Sequence, residues 1–207
     1  MIDLSSITDT ALKGAGYEPR DRIHLGISGV PATTGYSRAG TEHLRVGVVA
    51  VGQPARRETG PTSATNVPAA FGRRNRHAHS QAIPGMLVSV AMDETLDYDL
   101  DTLIDDLRGS PGVEAIMERY GIKNRFVRQT PSGDSTVVYV ELTGVNAATM
   151  KQADMEGLVT ALLPYVHDTV AAKLAGTERP PIPEGFAPKA VTVQPPVKDS
   201  DIIWSPT

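Results

Sequence analysis

Apolar residues recur at every second position most clearly in two runs of the chain. In "EHLRVGVVAVG", Leu44, Val46, Val48 and Ala50 fall on one face. Val49 and Val51 make the other face apolar as well, so a strand buried on both sides is predicted. "GMLVSVAM" predicts a second strong strand. A weaker alternation sets Ile23, Leu25 and Ile27 against Arg22, His24 and Gly26, and predicts a strand over "DRIHLGISGV". The next residues, "PATTGYSRAG", read as a loop by composition. "NRFVRQTPSGDSTVVYVELTG" holds two β-rich runs around a Pro-Ser-Gly-Asp turn, which is a hairpin pattern.

Helical periodicity appears elsewhere. Ile2, Leu4, Ile7 and Leu12 predict a short helix closed at Gly14 and Gly16. Leu100, Leu103, Ile104 and Leu107 share one helical face, with acidic residues crowded at the N-terminal end, where the helix dipole favours them. Gly109 and Pro111 stop that helix, and "GVEAIMERYG" predicts another, closed by Gly121. A long helix follows from about residue 149, with Leu158, Leu162, Tyr165, Val166 and Val170 on its apolar face. Thr149 and Gln152 fit a capping box, and Pro164 is expected to kink or divide the helix.

Together these elements predict an α+β fold. A single core would hold a mixed or antiparallel sheet of about four to five strands, with helices mainly on one face. Three regions are expected: residues 1–43, an N-terminal helix, strand and loop; residues 44–176, the α+β core with a long loop over 53–84; and residues 177–207, a Pro-rich extended arm.

Composition narrows the function classes. The net charge of −4 argues against a protein held mainly by nucleic-acid phosphates. The chain has no cysteine, which removes disulfides, thiolate zinc sites and cysteine nucleophiles together. "MIDLSSITDTALKGAG" lacks a basic start followed by an apolar run, so export by a signal peptide is not expected. No stretch approaches the roughly 18 apolar residues of a membrane span. A cytoplasmic or virion location without membrane contact is the expectation.

The chemistry-bearing residues concentrate in "RRNRHAHS". His77 and His79 would face one side of an extended segment, a weak metal-binding pattern unless a third ligand joins them. His24, His43 or the Asp97–Asp101 stretch could supply that ligand. Arg73, Arg74 and Arg76 beside them suit an anion, since guanidinium groups pair well with oxyanions. A small-molecule enzyme would use His77, His79 or His167 as acid or base and these arginines to grip an anionic substrate. Nucleic acid could meet the basic 56–79 stretch as a secondary partner. No cofactor motif is present: "GISGVPATTG" lacks the spacing of a phosphate-binding loop, and "DYDLD" lacks the Gly and Glu of a calcium loop. An enzyme is therefore the second reading.

The first reading comes from the arm. Pro180, Pro181, Pro183, Pro188, Pro195, Pro196 and Pro206 forbid helix and interrupt strand pairing. A polyproline-like stretch of about thirty residues reaches on the order of 80–90 Å. Linkers are polar, whereas this arm carries Ile182, Phe186, Val191, Val193, Ile202, Ile203 and Trp204, spaced as anchors for a subunit contact. Burying one such side chain stabilises by roughly 1.5–3 kcal/mol. The expectation is a structural protein that assembles with its own copies and with neighbouring structural proteins, through arms, into rings or lattices. The heads, necks and tails of tailed phages are the setting this architecture suggests by analogy.

Overall fold

The computed structural model describes residues 3–52, 85–93, 99–122, 124–132, 135–145 and 149–186. Among these residues four helices and six strands follow in the order α1 (Leu4–Gly14), β1 (Tyr17–Ile23), β2 (Thr33–Arg38), β3 (Leu44–Val51), β4 (Gly85–Asp93), α2 (Leu100–Arg108), α3 (Pro111–Arg119), β5 (Asn124–Ser132), β6 (Ser135–Thr143) and α4 (Gln152–Leu174). The strands form one sheet in the order β1-β2-β3-β4-β6-β5, with every neighbouring pair antiparallel. This is the α+β fold with the antiparallel option realised.

The long register of β3 on β4 and of β4 on β6 puts Val46, Val90 and Val138 in line across the sheet. These residues belong to the main core, with Met86, Val88, Met92, Val140 and Leu142. All four helices pack on that face. α4 is the hub: it touches α1, α2 and α3 and lies on β3 and β4. Its buried set, Met155 to Val170, extends beyond the expected stripe to Val159, Leu163, His167 and Thr169. A helix buried on most sides reads poorly as a single face.

Local chemistry starts and stops the helices. Asp3 caps α1 by accepting from the amides of Ser5 and Ser6. Asp99 does the same for α2 through Thr102, and Ser110 for α3 through Val113, with Pro111 at the first helical position. α4 departs from expectation twice. It begins at Gln152 with Lys151 as N-cap, so the Thr149–Gln152 capping box is not its start. It also continues undivided through Pro164, because packing on so many sides outweighs one lost backbone bond.

The sheet has one strand more than the upper expectation. That strand is β2, in the stretch "TTGYSR" that composition assigned to a loop. Tyr36 turns into the core and pairs with Val46, and tertiary pairing overrides the Thr-Gly-Ser composition. The alternation over residues 22–30 is half realised. β1 runs earlier, from Tyr17, and its register slips between Arg20 and Arg22. Beyond Ile23 the chain leaves the sheet. Ile23 and Leu25 still bury, in a second, smaller cluster with Val49, Leu87, Ala91, Val137 and Tyr139 on the other face of the sheet.

The close approach of β1 to β2 and of β2 to β3 depends on two glycines. A Cβ at Gly35 would lie 2.6 Å from the carbonyl oxygen of Asp21, and one at Gly47 would lie 2.8 Å from that of Thr34. Both obstacles are backbone, which cannot swing aside. Gly35→Val is therefore expected to destabilise the fold by about 1–3 kcal/mol, the usual cost of overpacking. The check is a lower urea midpoint with an unchanged denaturant slope.

Candidate functional site at the root of the C-terminal arm

Two polar or aromatic constellations stand out. The first surrounds His167, the one candidate catalytic histidine that falls within the described residues. Its side chain is fully buried, at 0% exposure. Nδ1 lies 3.1 Å from the Tyr17 hydroxyl and 3.0 Å from Asp168 Oδ1. Nε2 lies 3.2 Å from Thr41 Oγ1. The Thr41 hydroxyl also lies 3.1 Å from the Arg38 carbonyl. Arg38 donates to Asp168 at 2.7 Å and stacks over the Tyr17 ring, which meets His167 edge-on.

This network ties α4 to β1, β2 and the turn after β2. Burial alone would raise the Asp168 carboxyl, but the His167 contact and the Arg38 charge outweigh it and hold it below its ordinary value of 3.8. Burial, with the Asp168 charge, pushes the Tyr17 hydroxyl well above its ordinary value. Both ring nitrogens are engaged and no surface of the ring is open, so His167 works here as a buried polar clamp.

The second constellation holds the start of the arm. α3 and α4 face each other through a reciprocal exchange. Tyr165 of α4 lies against Gly112 of α3, where any Cβ would overlap its ring. Tyr120, at the end of α3, sets its hydroxyl against Gly157 of α4, where a Cβ would overlap that oxygen. Each tyrosine then holds the arm. The Tyr165 hydroxyl donates to the Pro180 carbonyl at 3.4 Å. The Tyr120 ring meets Phe186, with centroids 6.2 Å apart.

Arg119 stacks on the other side of the contact, 5.7 Å from the Phe186 ring, and donates to the Gly185 carbonyl. Arg179 and Lys173 both reach Asp106 of α2. These ion pairs are half-exposed and worth little individually. The "PEGF" stretch makes a tight turn, closed by the Phe186 amide on the Pro183 carbonyl. Gly185 takes the left-handed φ of 84° that such a turn requires at its third position.

Beside this root lies an open groove of about 580 Å³ between α3 and the start of β5. Met117 and Ile122 form its apolar floor, Glu114 and Glu118 its acidic wall, and Arg125 and Phe126 its β5 side. Phe126 is 48% exposed, the one large apolar side chain so exposed among the described residues.

Of the residues singled out from sequence, Ile182 and Phe186 lie in the arm root, half-buried on their own chain. Arg73, Arg74, Arg76, His77, His79, Val191, Val193, Ile202, Ile203 and Trp204 lie outside the described residues. Among the described residues no group of three His, Asp or Glu side chains is placed to hold a metal ion. No described helix is long and apolar enough to cross a membrane. Sequence reasoning placed Tyr165 on the apolar face of the long helix without linking it to the arm, and missed Tyr120, Gly112 and Gly157. The signal was available only as pairs, since a glycine inside a helix pattern has a packing reason when another residue fills its place.

Gly112→Ala would normally gain a few tenths to about 1 kcal/mol in helix propensity. Here the added methyl meets the Tyr165 ring, and a net loss of about 1–3 kcal/mol is expected, with faster proteolysis within residues 177–186. The Asp168 clamp makes a separate prediction. Its carboxyl is lowered in the folded state, so its contribution is complete above about pH 5 and fades as pH falls through the lowered value. The stability gap between the natural chain and Asp168→Asn, from urea melts, should be widest near pH 7 and close below about pH 4. A gap that stays constant to pH 3 contradicts this assignment.

No family model, no curated protein and no solved structure matches this chain.

Proposed function

We propose that this chain is an assembly protein, whose α+β body carries a C-terminal arm that grips neighbouring copies. The observation that supports this reading is the arm's root. Residues 177–186 are fixed to the body by Tyr165, Tyr120, Arg119 and the Asp106 ion pairs. A tether meant only to separate two parts needs no such seat. A seated root sets the direction in which the rest of the arm departs and lowers the entropy lost when it binds. Beyond the root the chain continues with Val191, Val193, Val197, Ile202, Ile203 and Trp204 between prolines. Each such side chain, once buried, stabilises by roughly 1.5–3 kcal/mol.

A role in the head, neck or tail of a phage particle agrees with such a body and arm, as does contact with other structural proteins of the same particle. The basic 56–79 stretch would serve in that setting against an acidic neighbouring surface or nucleic acid.

The test is native mass by light scattering at micromolar concentration, for the full chain and for a chain lacking residues 187–207. Truncation belongs after Phe186, because removing residues 177–186 would also strip Tyr120 and Asp106 of their partners. A multimer that falls to a folded monomer on truncation is the expected outcome. A full-length monomer would refute the reading.

A further inference from the structure

From these features we infer that the outer edge of β5 is the receptor for the arm, and that its occupant is the segment 189–194 of a second copy, added as a strand. The inference rests on the assembly reading above and names the site through which it works.

Three observations converge on this edge. The first is the asymmetry of the sheet. Both β1 and β5 are end strands, and among the described residues each pairs on one side only. β1 is blunted by Pro19 and by its register slip at Arg20–Arg22. β5 has its proline at position 131, next to its end, which leaves Asn124–Gln129 as a stretch of edge without proline. The second is Phe126, 48% exposed on this strand, on the face of the sheet away from the helices.

The third is the arm's own sequence. "KAVTVQ", residues 189–194, is free of proline and bracketed by Pro188 and Pro195. Val191 and Val193 alternate with Thr192, a β-strand pattern that puts both valines on one face, where they can meet Phe126. Strand addition of this kind takes affinity from main-chain hydrogen bonds and specificity from alternate side chains.

Reach decides which copy supplies the strand. The root ends at Phe186, against Tyr120, only four residues before β5 begins. Three further residues bring the chain to Lys189, a span of roughly 10 Å. From there a chain's own segment can lie along β5 only in the parallel sense. An antiparallel approach would have to start beyond Thr130, at least about 20 Å further on. Every pairing in this sheet is antiparallel, and antiparallel pairing is the more stable. A neighbour's arm meets no such limit.

The absence of cysteine makes the test clean. A full-length chain carrying Arg128→Cys and Val193→Cys is treated with a mild oxidant and run without reductant under denaturing conditions. A ladder of chains linked one to the next is expected. A bridge closed within a single chain would overturn the proposal, and so would no bridge at all. In parallel, Phe126→Glu, a surface change, should raise the concentration at which the multimer dissociates by at least about tenfold. A multimer that depends on residues 187–207 yet forms no bridge to β5 would leave the assembly reading standing and remove this site alone.

Discussion

Where α3 and α4 meet, each helix lacks a side chain at the point where the other's tyrosine lies against it. Gly112 makes room for Tyr165 and Gly157 makes room for Tyr120. This mutual vacancy is the constraint on which the arm depends. It fixes two aromatic rings whose far sides and hydroxyls would otherwise have no reason to face residues 180–186. The trade is favourable only because both tyrosines have work at both ends. A glycine in a helix costs up to about 1 kcal/mol relative to alanine, and the packed ring recovers more than that by burial. Interior packing density then transmits the arrangement, since neither ring can move without opening a void.

The His167 clamp plays the corresponding part for β1 and β2, two residues beyond Tyr165 on α4. Asp168 and Arg38 form a half-exposed pair of small net worth, whereas the buried bonds of His167 to Tyr17 and Thr41 cannot be broken without stranding polar groups. The long central helix is therefore held by apolar packing along its length and by directional contacts near its C-terminal half. β1 and β2 become inseparable from the core through those contacts. Residues 3–43 thus supply part of the same sheet and of the same helical layer as the residues that follow.

Much of this was legible in the sequence, and the losses have physical causes. The two valine-rich strands, the 124–143 hairpin and the helix pair declared themselves because their burial follows a simple period. β2 was hidden because strand formation there comes from pairing and from Gly35, which together override a loop-like composition. In residues 22–30 burial outlasts pairing: Ile23 ends β1 opposite Thr33, and Leu25 still turns inward after the backbone has left the ladder. The arm was recognised by its prolines and apolar residues, yet the cis seat of Phe186 was not, because it depends on Tyr120, which has no sequence signature of its own. The arginine and histidine cluster at 73–79 lies outside the described residues, so its chemistry rests on the sequence alone.

One feature of the sheet reaches beyond a single molecule. Its two ends are unlike: β1 is blunted and β5 is smooth. Two smooth ends could abut and would then be finished, giving a closed pair and nothing larger. On the docking proposed above, a body with one receptive edge and one arm would be a directional unit, like a link with a hook and an eye. Successive links related by a fixed rotation either close into a circle or run on as a helix, and the angle between hook and eye alone chooses between them.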